Sequence, residues 1–358
     1  MVKLLTNIGL YIHIPFCQKK CAYCDFYSAI ITDSLIDSYV SALKRDIKQW
    51  GGYINRPIDT IYFGGGTPSL LGKRLIPLLE CIKNNFKVCS DAEITLEVNP
   101  QKDIENVLKS AKQAGVNRLS IGAQSGIDSE LLTLGRTHTK SDTKNAVALA
   151  RNLGFSNISL DLMIGLPHST TDTLKQNLDF LLGLNPEHIS AYILKIEPKT
   201  LFFKERETLN LPDEDAVCDQ YLYMCDYLEN SGFSHYEISN FSKEKKESRH
   251  NLKYWKCEEY LGLGPSAHSF LDGKRFYFER DLKGYINGAI PTPDGDGGND
   301  NEKLMLGLRL KDGVDYIALP KNKADLFIKN GLATKTDGRF HLTNKGFLIS
   351  NAIIGELI

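Results

Sequence analysis

Cys17, Cys21 and Cys24 stand on one short stretch, FCQKKCAYCDFYS, four and then three residues apart. Thiolates are metal ligands, and three on one loop can hold one side of a metal centre. A zinc knuckle needs four ligands closed into a tetrahedron. His13 is the fourth it would have to use, but His13 lies in an alternating strand pattern beyond Pro15, and there is no second Cys-x-x-Cys pair. An iron–sulfur cluster usually takes four thiolates, so three leave one iron of a four-iron cluster with an open position. That position calls for a ligand other than a protein side chain.

Further polar residues accompany this loop. In FGGGTPS (63–69), Gly64, Gly65 and Gly66 carry no Cβ, so something must approach that backbone closely. Glu97, Gln124 and Asp161 interrupt or end otherwise apolar runs, and Arg136 follows the fourth such run.

The elements that must position these residues alternate. Apolar, β-rich runs lie at 10–14, 60–65, 93–98, 118–123, 158–165 and 188–194. Between them, 33–50, 72–87, 102–114, 141–153 and 170–183 show apolar residues at helical spacing, with Asp33 and Ser141 as expected N-caps. Six β-α units in succession imply an α/β fold with a parallel sheet, open or curled into a full or partial barrel. In a barrel the C-terminal strand ends form one mouth, where the cysteine loop, Gly64–Thr67, Glu97, Gln124 and Asp161 would converge. A helix near 212–231, a strand at 233–239 and a charged stretch, KEKKESR (243–249), follow. PTPDGDGGNDN (291–301) reads as a linker. After it, helix, helix, hairpin and a last apolar helix make a small winged-helix-like unit without a dense basic face. The expected division is a β/α core over 1–240, a region and linker over 241–298 and the winged-helix-like domain over 299–358.

With 358 residues, 42% of them hydrophobic and 24% charged, the chain has the composition of a globular protein of about two domains. Its net charge of −1 gives no electrostatic case for nucleic acid. No apolar run approaches the ~18 residues of a membrane span, and no secretory signal is evident, so a cytoplasmic protein is expected. Eight cysteines, three of them clustered, do not make a disulfide framework.

The Cys-x3-Cys-x2-Cys spacing, Tyr23 before the last cysteine and GGGTP resemble the radical S-adenosylmethionine (radical SAM) superfamily. YIHIPFC (11–17), IYFGGGTPS (61–69), EITLEVNP (93–100), RLSIGAQS (118–125), LGRTH (134–138), SLDLMIGLP (159–167) and GLGPSAHSF (262–270) further resemble the oxygen-independent coproporphyrinogen III oxidase family over nearly the whole chain. The resemblance implies a partial parallel (β/α)6-type barrel with a small C-terminal winged-helix-like α+β domain. It implies a [4Fe-4S] cluster on Cys17, Cys21 and Cys24, with S-adenosylmethionine chelating the open iron. Tyr11, Tyr23, Gly65, Gly66, Thr67 and Glu97 would line the cofactor site. Gln124, Arg136 and Asp161 match positions that touch a second S-adenosylmethionine or the substrate side.

Two departures bear on the subfamily. The oxidases have a longer segment before the cluster loop and a further cysteine two after the third, where this chain has Phe26. Conversely, HNLKYW (250–255) resembles the HemW-type members, regarded as haem chaperones. This implies haem binding with His250 as iron ligand, haem-acceptor proteins as partners, one of them membrane-associated in some settings, and a reductant for the cluster. Histidine is the usual proximal haem ligand, Tyr254 and Trp255 can pack on a macrocycle, and KEKKESR can meet propionates. His268 is a second candidate histidine. The alternative is an oxidase that decarboxylates propionates of coproporphyrinogen III.

Overall fold

The computed structural model describes residues 6–30, 32–101 and 103–358. Its contacts divide the chain into two units. One comprises the chain up to Asp161 with Lys195–Leu209 and Glu259–Gly297; the other comprises Leu162–Leu194, Asn210–Glu258 and Gly298–Ile358.

In the first unit, β1 (Ile8–Ile14), β2 (Ile58–Gly65), β3 (Val88–Val98) and β4 (Arg118–Gln124) pair side by side, all parallel. On the other edge of β1 lies Tyr260–Leu263, also parallel, followed by the antiparallel run His268–Leu271, Lys274–Tyr277 and Thr292–Asp296. The connecting helices are α1 (Asp33–Tyr53), α2 (Leu75–Asn85), α3 (Ile104–Ala114) and α4 (Lys140–Asn152). Leu10, Ile12, Ile61, Phe63, Leu96, Leu119 and Ile121 are fully buried, as expected of parallel strands covered on both faces. Within these buried strands, Tyr11, Tyr62 and Glu97 are partly exposed, and so is Asp161 in β5 (Ile158–Ile164).

The chain passes through β5 into the second unit. There α5 (Thr171–Gly183) leads to β6 (His188–Ile193), and α6 (Glu214–Asn230) leads to a hairpin of Ser234–Glu237 and Asn240–Ser242, whose second strand pairs antiparallel with β6. HNLKYW lies in a helix, α7 (Arg249–Trp255). The C-terminal part runs helix Asp300–Gly307, short strand Val314–Asp315, helix Lys321–Lys329, strands Ala333–Thr336 and Arg339–Leu342, then two short helices; Arg339–Leu342 is the middle strand of the three-stranded antiparallel sheet. Two helices, a hairpin and a last helix thus succeed one another here, as the sequence suggests.

Two local expectations are corrected. The caps of α1 and α4 are Thr32 and Thr139, not Asp33 and Ser141. Thr32 Oγ1 accepts from Leu35 N–H, and Thr139 forms a reciprocal capping box with Asp142. Asp33 instead sits in the first turn, where its charge meets the helix dipole. The stretch 291–301 is not wholly linker: Thr292–Asp296 adds an edge strand, a place in a sheet that tolerates Pro293. Among the described residues, no helix is long and apolar enough to cross a membrane.

Candidate functional site

The cysteine loop is closed by a short parallel pairing of Phe16–Cys17 with Ala29–Ile30. Ala22 is held from both sides: its N–H donates to the Leu134 carbonyl (3.1 Å) and its carbonyl accepts from Phe202 N–H (3.0 Å). Cys24 N–H turns back onto the Cys21 carbonyl. All three thiols are partly exposed, and burial pushes that of Cys24 up. Two have donors beside them. Thr67 Oγ1 lies 3.6 Å from Cys17 Sγ, and Arg136 Nη1 donates to Cys21 Sγ at 3.6 Å. Among the described residues, no three His, Cys, Asp or Glu side chains converge on one point that could hold a metal ion. A four-iron cluster makes no such demand, because each thiolate binds a different iron.

The glycine run explains how Thr67 reaches the loop. Gly65 has φ +115°, and a Cβ on it would lie 2.7 Å from the His13 ring. A Cβ on Gly66 would lie 2.6 Å from the Phe16 carbonyl oxygen. What approaches this backbone is therefore the chain's own β1 end and the start of the cysteine loop. Gly66 N–H also donates to the Ile14 carbonyl (2.8 Å).

Glu97 stands next to this run. It accepts from Tyr62 O–H (2.9 Å) on one oxygen and from Gly65 N–H (3.1 Å) on the other. Burial, reinforced by the Asp161 charge, pushes its carboxyl up to about 7. Parallel register sets Tyr11 opposite Tyr62 and Glu97 opposite Ser120, whose hydroxyl donates to Asp161 (3.2 Å). Polar groups on β1 to β5 thus form one row across the strands. Tyr11, whose phenol is pushed up by burial and by Glu97, lies 3.0 Å from His13 Nδ1. His13 Nε2 faces the Tyr27 carbonyl, and burial lowers this imidazole to about 4.

Arg136 is clamped: its Nη2 donates to Asn99 Oδ1 (2.7 Å) and to the Gly122 carbonyl (2.8 Å). Its charge also lies beside Tyr23, whose phenol burial pushes up. Gln124, at the end of β4, is buried with φ +66°, a conformation that non-glycine residues adopt only where the surroundings impose it. Cys21, Thr67, Asn99, Arg136 and His138 line an open pocket. Tyr62, Asn99 and Ser120 belong to this network and escaped the sequence reading. The one signal for Asn99 was a polar residue closing an apolar strand.

HNLKYW lies in the second unit. α7 is capped by Ser248, whose N–H donates to Tyr236 Oη; that hydroxyl also lies 2.8 Å from His188 Nε2. His250 is only 1% exposed, and its Nε2 lies 2.8 Å from the Tyr254 hydroxyl. Trp255 carries Arg309 over its ring at 5.8 Å and lies beside the buried Glu237. Lys253 is buried against Glu258 (3.1 Å). The motif is thus a packed helix, not an exposed segment. His268 lies in the first unit, exposed and stacked on Tyr277 (5.2 Å).

Residues 11–181 match the family model of the radical SAM superfamily. Heme chaperone HemW of Bacillus subtilis (strain 168) is 36% identical, over 97% of this chain and 98% of the relative. The protein of that name from Escherichia coli (strain K12) is also 36% identical, over 99% and 98%, and that of Synechocystis is 38% identical, over 99% and 97%. The chain belongs to the HemW family of radical SAM proteins. Among solved structures, the coproporphyrinogen III oxidase HemN of Escherichia coli, described as a radical SAM enzyme, superposes with a TM-score of 0.84, covering 98% of this chain and 89% of that one. At 24% identity this likeness establishes the fold: α/β, with the mostly parallel sheet of radical SAM proteins. For a HemW family member, three cysteines on one loop with donors on two sulfurs suit the thiolate set of an iron–sulfur cluster.

Proposed function

We propose that this chain is a haem chaperone, as its HemW relatives are named, and that it binds haem and delivers it to acceptor proteins. Cys17, Cys21 and Cys24 hold a [4Fe-4S] cluster, whose open iron is chelated by S-adenosylmethionine. That pair supplies one-electron and radical chemistry when bound. Tyr11, Tyr23, Gly65, Gly66, Thr67 and Glu97 position the cofactor, with Glu97 suited to a ribose hydroxyl or an ammonium group. Gln124, Arg136 and Asp161 face a second cofactor or the substrate side. His250 supplies the haem ligand. Because it is buried, the Tyr254 side of α7 must open for iron to reach it. The reading includes a reductant for the cluster, acceptor proteins that can include membrane-associated ones, and a cytoplasmic location.

The observation that supports this most is near-full-length similarity to HemW proteins in a chain that carries HNLKYW. The oxidase alternative rests on a likeness of fold to HemN. One experiment separates them: cluster-reconstituted protein is incubated anaerobically with coproporphyrinogen III, S-adenosylmethionine and a reductant. Release of carbon dioxide at enzymatic turnover would favour the oxidase; no turnover, with haem co-eluting from the same preparation, is the expected result.

A further inference from the structure

Asn99 has no part in the cofactor assignment above, yet it joins the two donors that face the cysteine loop. It follows Val98, the last residue of β3, and precedes Pro100. Its Oδ1 accepts from Arg136 Nη2 (2.7 Å), and its Nδ2 donates to Thr67 Oγ1 (2.9 Å). This placing of oxygen and nitrogen is fixed by chemistry: a guanidinium only donates, so the atom facing it must accept.

Each partner then faces a sulfur. Arg136, held at Nη2 by Asn99 and the Gly122 carbonyl, has Nη1 on Cys21 Sγ (3.6 Å). Thr67 is buried and receives the amide hydrogen of Asn99 on its oxygen, so its own proton is left to donate; Cys17 Sγ lies 3.6 Å away. One carboxamide therefore aims a charged donor and a neutral donor at two of the three thiols.

We propose that Asn99 is a positioning residue that sets the reduction potential of the cluster by orienting Arg136 and Thr67 onto the sulfurs of Cys21 and Cys17. The inference rests on the reading that these cysteines hold the cluster. One-electron reduction adds negative charge that spreads onto the sulfurs. Donors fixed on them stabilise the reduced form more than the oxidised form and raise the potential.

The test is an anaerobic potentiometric titration, followed by electron paramagnetic resonance, of cluster-reconstituted protein without S-adenosylmethionine. Wild type, Asn99→Ala, Thr67→Val and the double variant are compared, each with its iron content. Both single variants should move the midpoint to more negative potential, Asn99→Ala further because it frees Arg136 as well. The Thr67→Val shift should largely vanish without Asn99, since the hydroxyl is then no longer aimed. A wild-type midpoint in iron-replete Asn99→Ala, or a Thr67→Val shift of equal size in both backgrounds, would overturn the proposal. If Asn99→Ala loads no iron, Arg136→Lys replaces it: Lys lacks the fork that spans Asn99 and Cys21, so an unshifted midpoint there also overturns it. Wild-type protein that takes up no four-iron cluster would overturn the cluster reading itself.

Discussion

The Tyr254 hydroxyl lies 2.8 Å from Nε2 of His250, one helical turn away on α7, and the two rings stand edge to face at 88°. Nε2 is a nitrogen through which imidazole commonly binds iron. If His250 ligates haem through it, the metal must displace this hydroxyl.

Tyr254→Phe keeps the ring and removes the competitor. A net hydrogen bond of about 0.5–1.5 kcal/mol converts to a roughly two- to tenfold gain in haem affinity. Difference titration at the Soret band checks this. Unchanged or weaker binding would show that the contact does not restrain His250.

Cys21→Ser should abolish the broad visible absorbance of the reconstituted four-iron cluster, because the two remaining thiolates do not retain it. Iron analysis of anaerobically purified protein gives the same readout. A spectrum like that of wild type would remove Cys21 from the ligand set.

The Glu97 carboxyl titrates near neutrality, at about 7 rather than 4.5, chiefly because it is buried and next because Asp161 is near. The carboxylate is the form that accepts from a ribose hydroxyl or pairs with an ammonium group. Affinity of cluster-loaded protein for S-adenosylmethionine should therefore rise as pH rises through about 7. Glu97→Gln should weaken binding and flatten that dependence while leaving cluster absorbance intact. Equilibrium dialysis at several pH values measures it; loss of the cluster in the variant would indicate a folding role instead.

Glu237 makes a separate stability prediction in the second unit. It is fully buried, one of its oxygens has no hydrogen-bond partner, and burial pushes its carboxyl from 4.5 up to about 7. A raised folded-state value means that its contribution to stability is present below the unfolded value of 4.5 and is lost as pH rises through about 7. Glu237→Gln should remove this loss, making the variant more stable than wild type above pH 7 by up to about 3 kcal/mol. Thermal melts of both proteins below about pH 4.5 and above about pH 7 decide it. A variant less stable at high pH would mean that the ionised carboxylate holds Trp255 and α7.

The short-range signals were legible in the sequence. The cysteine spacing and the glycine run each lie within a few residues, each element of the β-α alternation is set by its own local pattern, and all have direct physical readings. Tyr62 and Ser120 were not legible, because parallel register brings them to Glu97 and Asp161 across separations of 35 and 41 residues. The glycines were read correctly as a close approach, but the partner proved to be His13 and the Phe16 carbonyl. The burial of His250 was hidden too. KEKKESRHN is polar enough to suggest surface, and only contacts with distant residues such as Tyr236 and Arg309 fix α7 in place.

Whether His250 carries haem is decided by an anaerobic haem titration of cluster-reconstituted protein. Soret absorbance is followed for wild type and His250→Ala. Wild type should bind about one haem per chain saturably, and the variant should bind clearly more weakly with its cluster retained. Equal affinity in the two proteins, or no saturable binding in wild type, would contradict it.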